Sequence, residues 1–228
     1  MVMDVLERSP ATKVFHESNP IAFNQFQLRD DAIIHQLARS LAPCVVFKAL
    51  CDSHRVSALL DDFADSSAIW VYRNFDEVVA SHSVLWPNGR NQIDRLVKDR
   101  SAAVWRGRGM TDETWELVKT LYSPDMNPVS ANALFWYYRN QLYFDQKFER
   151  DRRVYLVKYE EIATNPFVEV NRLTDFLRLR PTRRMSRYIK LNSVRHTVVT
   201  DIDPRIRDIC ERMLQRLDAV WAGQSKKD

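Results

Sequence analysis

The segment Val45 to Ser81, VVFKALCDSHRVSALLDDFADSSAIWVYRNFDEVVAS, decides the fold. It opens on Val45-Val46-Phe47, a β-branched and aromatic run without alternation, the pattern of a strand covered on both faces. A helix follows, with Val56, Leu59, Leu60 and Phe63 on one apolar stripe. Ala68-Ile69-Trp70-Val71-Tyr72 is a second buried-type strand, feeding a helix from about Asp76 to Leu85. Two strand–helix units in direct succession predict a parallel sheet flanked by helices. Parallel neighbours need a crossover, and the crossover helix covers a face of the sheet.

Upstream, Val2 to Arg8 reads as a helix stopped before Ser9-Pro10. Lys13 to His16 is a short strand, and Asp30 to Leu41 is a helix with Ile33, Ile34, Leu37 and Leu41 on one face. Downstream, residues 86–127 read as an insertion of looser helices and loops covering a substrate cleft. Ala131 to Arg150 is a long, aromatic-rich helix and Val154 to Val157 a strand. Pro166 to Leu177 is a helix opened by its proline, and Pro204 to Trp221 is a final helix striped by Ile206, Ile209, Met213, Leu217 and Val220. With no internal repeat or low-complexity tract, residues 1–228 read as a single domain.

Composition narrows the function classes. Hydrophobic residues at 45% and charged residues at 28% exclude global disorder. The net charge of +4 is mild, yet arginine greatly outnumbers lysine, which suits bidentate contact with phosphate or sulfate. Without a lysine-rich tail or a nucleic-acid signature, the expected partner is an anionic small molecule rather than nucleic acid. Cys44, Cys51 and Cys210 are odd in number and form no CxxC pair. That speaks against a disulfide framework or a zinc site and for a reducing, cytoplasmic compartment. No run approaches the roughly 20 apolar residues of a membrane span, and the N-terminus carries no signal-peptide hydrophobic stretch.

Arg73 leaves the carboxyl end of a predicted parallel strand, where open α/β sheets bind ligands. Ser81 stands eight positions later on the following helix. A guanidinium there can fork onto a phosphate, and the hydroxyl can complete the grip. The spacing also fits a plainer arrangement, with Arg73 paired to Asp76 or Glu77 at the surface. A second stretch, Arg153 to Leu177, reads RVYLVKYEEIATNPFVEVNRLTDFL. It holds a strand, Tyr159-Glu160-Glu161, an Asn165-Pro166 turn and a helix. By itself it fits equally a tyrosine that closes a strand and a proline that starts a helix.

In order and about 85 residues apart, the two stretches resemble the sulfotransferase family, which has a P-loop nucleotide fold. The resemblance covers about half the chain loosely and about a quarter closely. It implies that Arg73 and Ser81 match the pair gripping the 3′-phosphate of 3′-phosphoadenosine 5′-phosphosulfate (PAPS), the sulfuryl donor. Tyr159 matches the tyrosine at the adenine end, with Glu161 replacing the usual aspartate. Lys48 matches the lysine beside the transferring group, where a cation stabilises charge on the bridging oxygen. Cytosolic small-molecule members carry a histidine base where this chain has Leu50, which cannot take a proton. Branches acting on glycans and tyrosyl proteins use a glutamate at the end of the second strand, and Glu17 stands where that base falls. A surface Glu17 capping a turn remains the plainer reading, and His16 and His54 are weaker rivals. Ser193-Val194-Arg195-His196 resembles the basic patch that closes over the 3′-phosphate, through Arg195, but lacks the Arg-Lys-Gly signature of the cytosolic branch. A solvated loop arginine fits that position too.

The family's 5′-phosphosulfate site is a glycine-rich loop between the first strand and the first helix, where backbone amides approach the phosphates. The glycines of this chain are Gly89, Gly107, Gly109 and Gly223, all beyond the second predicted strand. The resemblance therefore implies a chain that starts after that loop and its strand. The implied activity is sulfuryl transfer from PAPS to a small-molecule or glycan hydroxyl, or an amine, without a metal and impaired in this form. The alternative is a non-catalytic nucleotide-binding or interaction relic of the same fold. A kinase on a related fold would show a Walker loop and a magnesium-holding carboxylate, and neither is visible. Trp86, Trp105, Trp115 and Trp136 either stack on a sugar or aromatic alcohol or belong to the core.

Overall fold

The computed structural model describes residues 1–40, 42–85, 89–187, 189 and 198–225. In chain order the elements are α1 (Val2–Glu7), β1 (Thr12–Phe15), β2 (Phe23–Asn24), β3 (Gln27–Leu28), α2 (Asp31–Ser40), β4 (Cys44–Phe47), α3 (Val56–Asp62), β5 (Ala68–Tyr72) and α4 (Phe75–Leu85). There follow α5 (Gly89–Lys98), α6 (Asp112–Leu121), α7 (Pro128–Asp145), β6 (Val154–Lys158), α8 (Tyr159–Thr164), α9 (Pro166–Phe176), α10 (Arg183–Arg187) and α11 (Pro204–Ser225). Two compact units result, one from Met1–Val56 with Glu160–Ser193, the other from Ser57–Tyr159 with Val194–Asp228.

In the first unit β1 and β4 pair in parallel, from Thr12 opposite Cys44 to Phe15 opposite Phe47. The last pair stacks its rings at 5.4 Å and 10°. Thr12 Oγ1 donates to the Leu6 carbonyl and ties α1 to the start of β1. The β2–β3 hairpin carries no Asn-Gly or Asp-Gly signal and is absent from the sequence reading. Its turn residues Gln25 and Phe26 take φ of 48° and 67°, the left-handed region that two-residue hairpins require and that glycine or asparagine usually fills. Asp52, only 3% exposed, helps hold it by accepting the Leu28 N–H at 2.7 Å.

In the second unit β5 and β6 pair in parallel, from Ala68 opposite Val154 to Tyr72 opposite Lys158. The helix α7 packs against α4 and α11. It begins at Pro128 rather than Ala131 because Asn127 caps it, its Oδ1 accepting the Ser130 N–H at 2.7 Å. Trp70 lies against Tyr143 and Phe148, at 5.7 and 6.0 Å between centroids. Leu134 and Leu156 are fully buried, and side chains of this kind stabilise a fold by about 1.5–3 kcal/mol each. The region 86–127 contains two regular helices, α5 and α6, where the sequence suggested looser structure.

This is an α/β fold with parallel strands flanked by helices. The sequence placed the strands now labelled β4, β5 and β6 together; among the described residues β4 pairs with β1 and β5 with β6. Apolar content signals burial but does not name a strand's neighbour. Ladder geometry shows which edges stay open. Ala68 N–H donates to the Arg153 carbonyl at 2.8 Å, so alternate residues of β5 face β6 while Ile69 and Val71 turn their backbone groups the other way. Likewise Cys44 and Lys48 N–H donate to Ala11 and Phe15, leaving Val45 and Phe47 at the far edge of β4. No strand among the described residues takes either edge.

Candidate functional site

Parallel register fixes which residues meet at a strand's carboxyl end. Because Tyr72 lies opposite Lys158, the next residues, Arg73 and Tyr159, emerge side by side. The Arg73 guanidinium lies over the Tyr159 ring at 4.4 Å from its centroid, and Tyr159 starts α8 instead of closing the strand. Arg73 Nε also donates to Glu77 Oε2 at 2.9 Å, and the Trp136 indole N–H donates to the Arg73 carbonyl at 3.0 Å. Arg73 is thus held from three directions, and the pairing with Glu77 coexists with the tyrosine contact. Asp76 goes elsewhere: its Oδ1 accepts the Val199 N–H at 3.1 Å and Arg207 Nη2 at 3.0 Å. Ser81 sits exposed on α4, about one turn beyond Glu77 and Asp76. Arg195 lies outside the described residues, as does Trp86.

The other unit shows the same logic. With Phe15 opposite Phe47, the chain leaves β1 and β4 at His16 and Lys48, and Glu17 follows one residue later. Lys48 Nζ donates to Glu17 Oε1 at 2.7 Å, both side chains being about one-quarter to one-third exposed at 25% and 32%. Glu17 Oε2 is buried and has no hydrogen-bond partner among the described residues. A carboxylate with one oxygen on an ammonium and the other free has a lone pair to offer. His16 turns away to Glu7, its Nε2 at 2.7 Å from Oε1. Glu161 accepts from Asn165 Nδ2 at 2.9 Å at the start of α9.

The tryptophans divide. Trp136 is buried, and the Trp115 indole N–H donates to the Leu96 carbonyl at 3.1 Å; both are framework. Trp105 is half-buried, with the Arg106 and Arg139 guanidinium carbons at 4.5 and 5.1 Å from its ring. His82, one residue after Ser81, was not singled out in the sequence. Burial pushes its pKa below the usual imidazole value, so it is neutral near pH 7. No local motif marks it, because its environment comes from Phe135 on another helix. Burial raises the Cys44 and Cys210 thiols, so both are poor nucleophiles. No group of three or more His, Cys, Asp or Glu that could hold a metal occurs among the described residues, and no helix among them is long and apolar enough to cross a membrane.

No protein-family model matches the sequence, and no curated protein matches it significantly. Solved structures do. A sulfotransferase from Alicyclobacillus acidocaldarius is similar at a TM-score of 0.50 and 16% identity, over 97% of this chain and 90% of that one. A sulfotransferase domain from the curacin biosynthetic pathway is similar at 0.49 and 15%, over 82% and 67%. A mouse sulfotransferase complexed with PAP is similar at 0.47 and 14%, over 98% and 82%. At such identities the likeness is one of architecture, and it rests on the Alicyclobacillus structure, which this chain matches nearly end to end: the chain has the sulfotransferase fold.

Proposed function

We propose that this chain is a sulfotransferase that uses PAPS as donor and a hydroxyl, or less favourably an amine, as acceptor. One observation carries the reading beyond the fold: Arg73 and Tyr159, matched separately to the family's nucleotide contacts, meet at 4.4 Å. A guanidinium stacked on a ring keeps its N–H groups in its own plane, where a phosphate can take them in competition with Glu77. In this reading Arg73 and Ser81 hold the 3′-phosphate, Tyr159 flanks the adenine and Arg195 closes over the nucleotide. The donor supplies the sulfuryl group. Glu17 takes the acceptor's proton as the acceptor oxygen bonds sulfur and the sulfur–oxygen bond to the donor phosphate breaks. Lys48 stabilises charge on the departing oxygen. No metal has a role, since in-line transfer rests on positioning and charge stabilisation, as phosphoryl transfer largely does.

The reading also requires a glycine-rich phosphate cradle on a further strand, and the open edge of β5 offers a place for one. In such a cradle one preorganised donor is worth about 2.7–4 kcal/mol of the barrier. The test separates binding from chemistry. Calorimetric titration with 3′-phosphoadenosine 5′-phosphate should show binding that falls about 10- to 100-fold in Arg73→Ala, as expected for a charged hydrogen bond. Unchanged affinity in that variant overturns the assignment of the nucleotide end.

A further inference from the structure

From Phe176 to Thr200 the sequence holds no aspartate or glutamate, and Arg178, Arg180, Arg183, Arg184 and Arg187 fall within the first half of that stretch. All five are exposed, and none pairs with a carboxylate among the described residues. Elsewhere arginines are answered within the fold: Arg55 by Asp31, Arg100 by Asp112, Arg153 by Asp61 and Asp151, and Arg207 by Asp76. The acids of the adjoining helices are already engaged. On α9, Glu169 is buried against Arg172 at 2.6 Å. On α1, which packs against α10, Asp4 takes the Met1 ammonium at 2.9 Å and Glu7 takes His16 at 2.7 Å. Asp175 stays exposed on α9 and pairs with none of the five among the described residues.

The cluster costs the fold stability. Helix α10 turns Met185 and Ser186 inward and presents Arg183, Arg184 and Arg187 outward. Arg187 lies four residues after Arg183 and three after Arg184, the spacings at which like charges repel across a helix surface. Arg178 follows α9 with a φ of 54°, the left-handed position that helices usually give to glycine. Leu179 N–H donates to the Thr174 carbonyl at 2.8 Å and closes that cap. Mutually repelling guanidiniums, one of them in a glycine position, point to an anionic partner outside the chain. The same face carries apolar groups. Phe167 and Val168, adjacent in the first turn of α9, are 64% and 51% exposed. From Val168 an exposed stripe runs through Asn171 and Asp175 towards Arg178, about 15 Å at the helical rise. A soluble polyanion takes the guanidiniums but leaves the phenyl and the valine in water. An anionic bilayer takes both, because basic side chains meet its headgroups while apolar ones enter the boundary with the acyl chains.

We propose that the α9–α10 face of the first unit docks on an anionic phospholipid surface, with the five arginines at the headgroups and Phe167 and Val168 inserted beside them. The unit that carries Glu17 and Lys48 is thereby held at a membrane, and the docking does not depend on the sulfotransferase reading. The experiment is flotation of the full chain with vesicles of phosphatidylcholine alone and with vesicles containing about 30% phosphatidylglycerol. The anionic vesicles should bind at least about tenfold more tightly, and the gain should shrink as salt rises. Arg183→Gln, Arg184→Gln and Arg187→Gln together should remove about 100-fold of that affinity. The same triple variant should keep or raise the urea midpoint, because like charges are relieved. Phe167→Ser should weaken vesicle binding about tenfold or more at every salt concentration, since the lost contribution is apolar. Its retention on heparin, a polyanion without an apolar phase, should match that of the unmodified chain. The proposal is overturned if the chain ignores anionic vesicles, binds neutral ones equally well, or binds anionic vesicles undiminished in the triple variant. Undiminished vesicle binding by Phe167→Ser also overturns it, in favour of a soluble polyanion as the occupant.

Discussion

Glu77 neutralises Arg73 across one helical turn: Arg73 Nε donates to Glu77 Oε2 at 2.9 Å, and the glutamate is 6% exposed. A guanidinium so paired binds a phosphate in competition with its own carboxylate. Glu77→Gln keeps an acceptor oxygen in place and removes the competing charge. Its affinity for 3′-phosphoadenosine 5′-phosphate should therefore rise several-fold, measured by calorimetry at low salt, where the Coulomb difference is least screened. A fall in affinity would mean that the charge of Glu77 orients Arg73 rather than masking it.

The Glu17–Lys48 pair makes two readouts move apart. Lys48→Met leaves Glu17 with both oxygens unpaired, one of them already buried without a partner. That should cost about 1–3 kcal/mol of stability, the range for a buried group left unsatisfied. Glu17→Gln keeps an acceptor for the ammonium and should cost well under 1 kcal/mol. Turnover orders differently. Loss of the base should slow transfer by about 10²–10⁴-fold, in a form that turns over, with nucleotide affinity unchanged. Urea melts and single-turnover rates check the two orders; a Glu17→Gln variant with normal transfer rates removes Glu17 from the reaction.

The parts of the site legible in the sequence are those that register delivers. Strand content at Ala68–Tyr72 and Val154–Val157 was readable from β-branched and aromatic runs, and parallel pairing then sets Arg73 beside Tyr159. The strands before Glu17 and Lys48 were readable in the same way, but not their pairing, so the meeting of those two side chains beyond Phe15 and Phe47 came from the structure. What stayed hidden depends on partners far away in the chain. His82 gains its character from Phe135, and Trp105 gains its guanidiniums from Arg106 and from Arg139 on α7. The hairpin at Phe23–Leu28 escaped because Gln25-Phe26 is an unfavourable pair for its turn, held by Asp52 from outside the hairpin.

His82 gives the fold a pH dependence of known sign. Burial lowers its pKa in the folded chain, so below about pH 6.5 the unfolded chain takes up a proton that the folded chain resists. Stability present above that pH is lost as pH falls through the folded value. Asp151 and Asp203, held low by hydrogen bonds from Arg153 and Arg205, lose their contribution only below about pH 4. Asp145, raised by burial, acts in the opposite direction just above the ordinary carboxylate range. The readout is therefore a difference: unfolding free energy from pH 7 to pH 5 for the unmodified chain minus that for His82→Gln. The difference should shrink steadily as pH falls; a flat difference rules out His82 as the source.

Val71 tests whether the open edge of β5 is finished. Its backbone groups point away from β6 and its side chain is 42% exposed, an unusual position for valine in a strand whose neighbour is fully covered. An exposed apolar strand with an unpaired edge recruits other strands, and a lysine there is a common means of preventing it. In this chain Val71→Lys should leave the urea midpoint nearly unchanged, within the ±0.5 kcal/mol typical of surface substitutions, while light scattering shows less self-association. The sign should reverse in a chain extended upstream of Met1 by a strand that takes the edge, because the valine is then covered. Burying a lysine without a partner there should destabilise by several kcal/mol and lower nucleotide affinity together with it. Equal effects of Val71→Lys in the short and the extended chain would show that no strand docks on β5, and with it the proposed phosphate cradle would lose its place in the sheet.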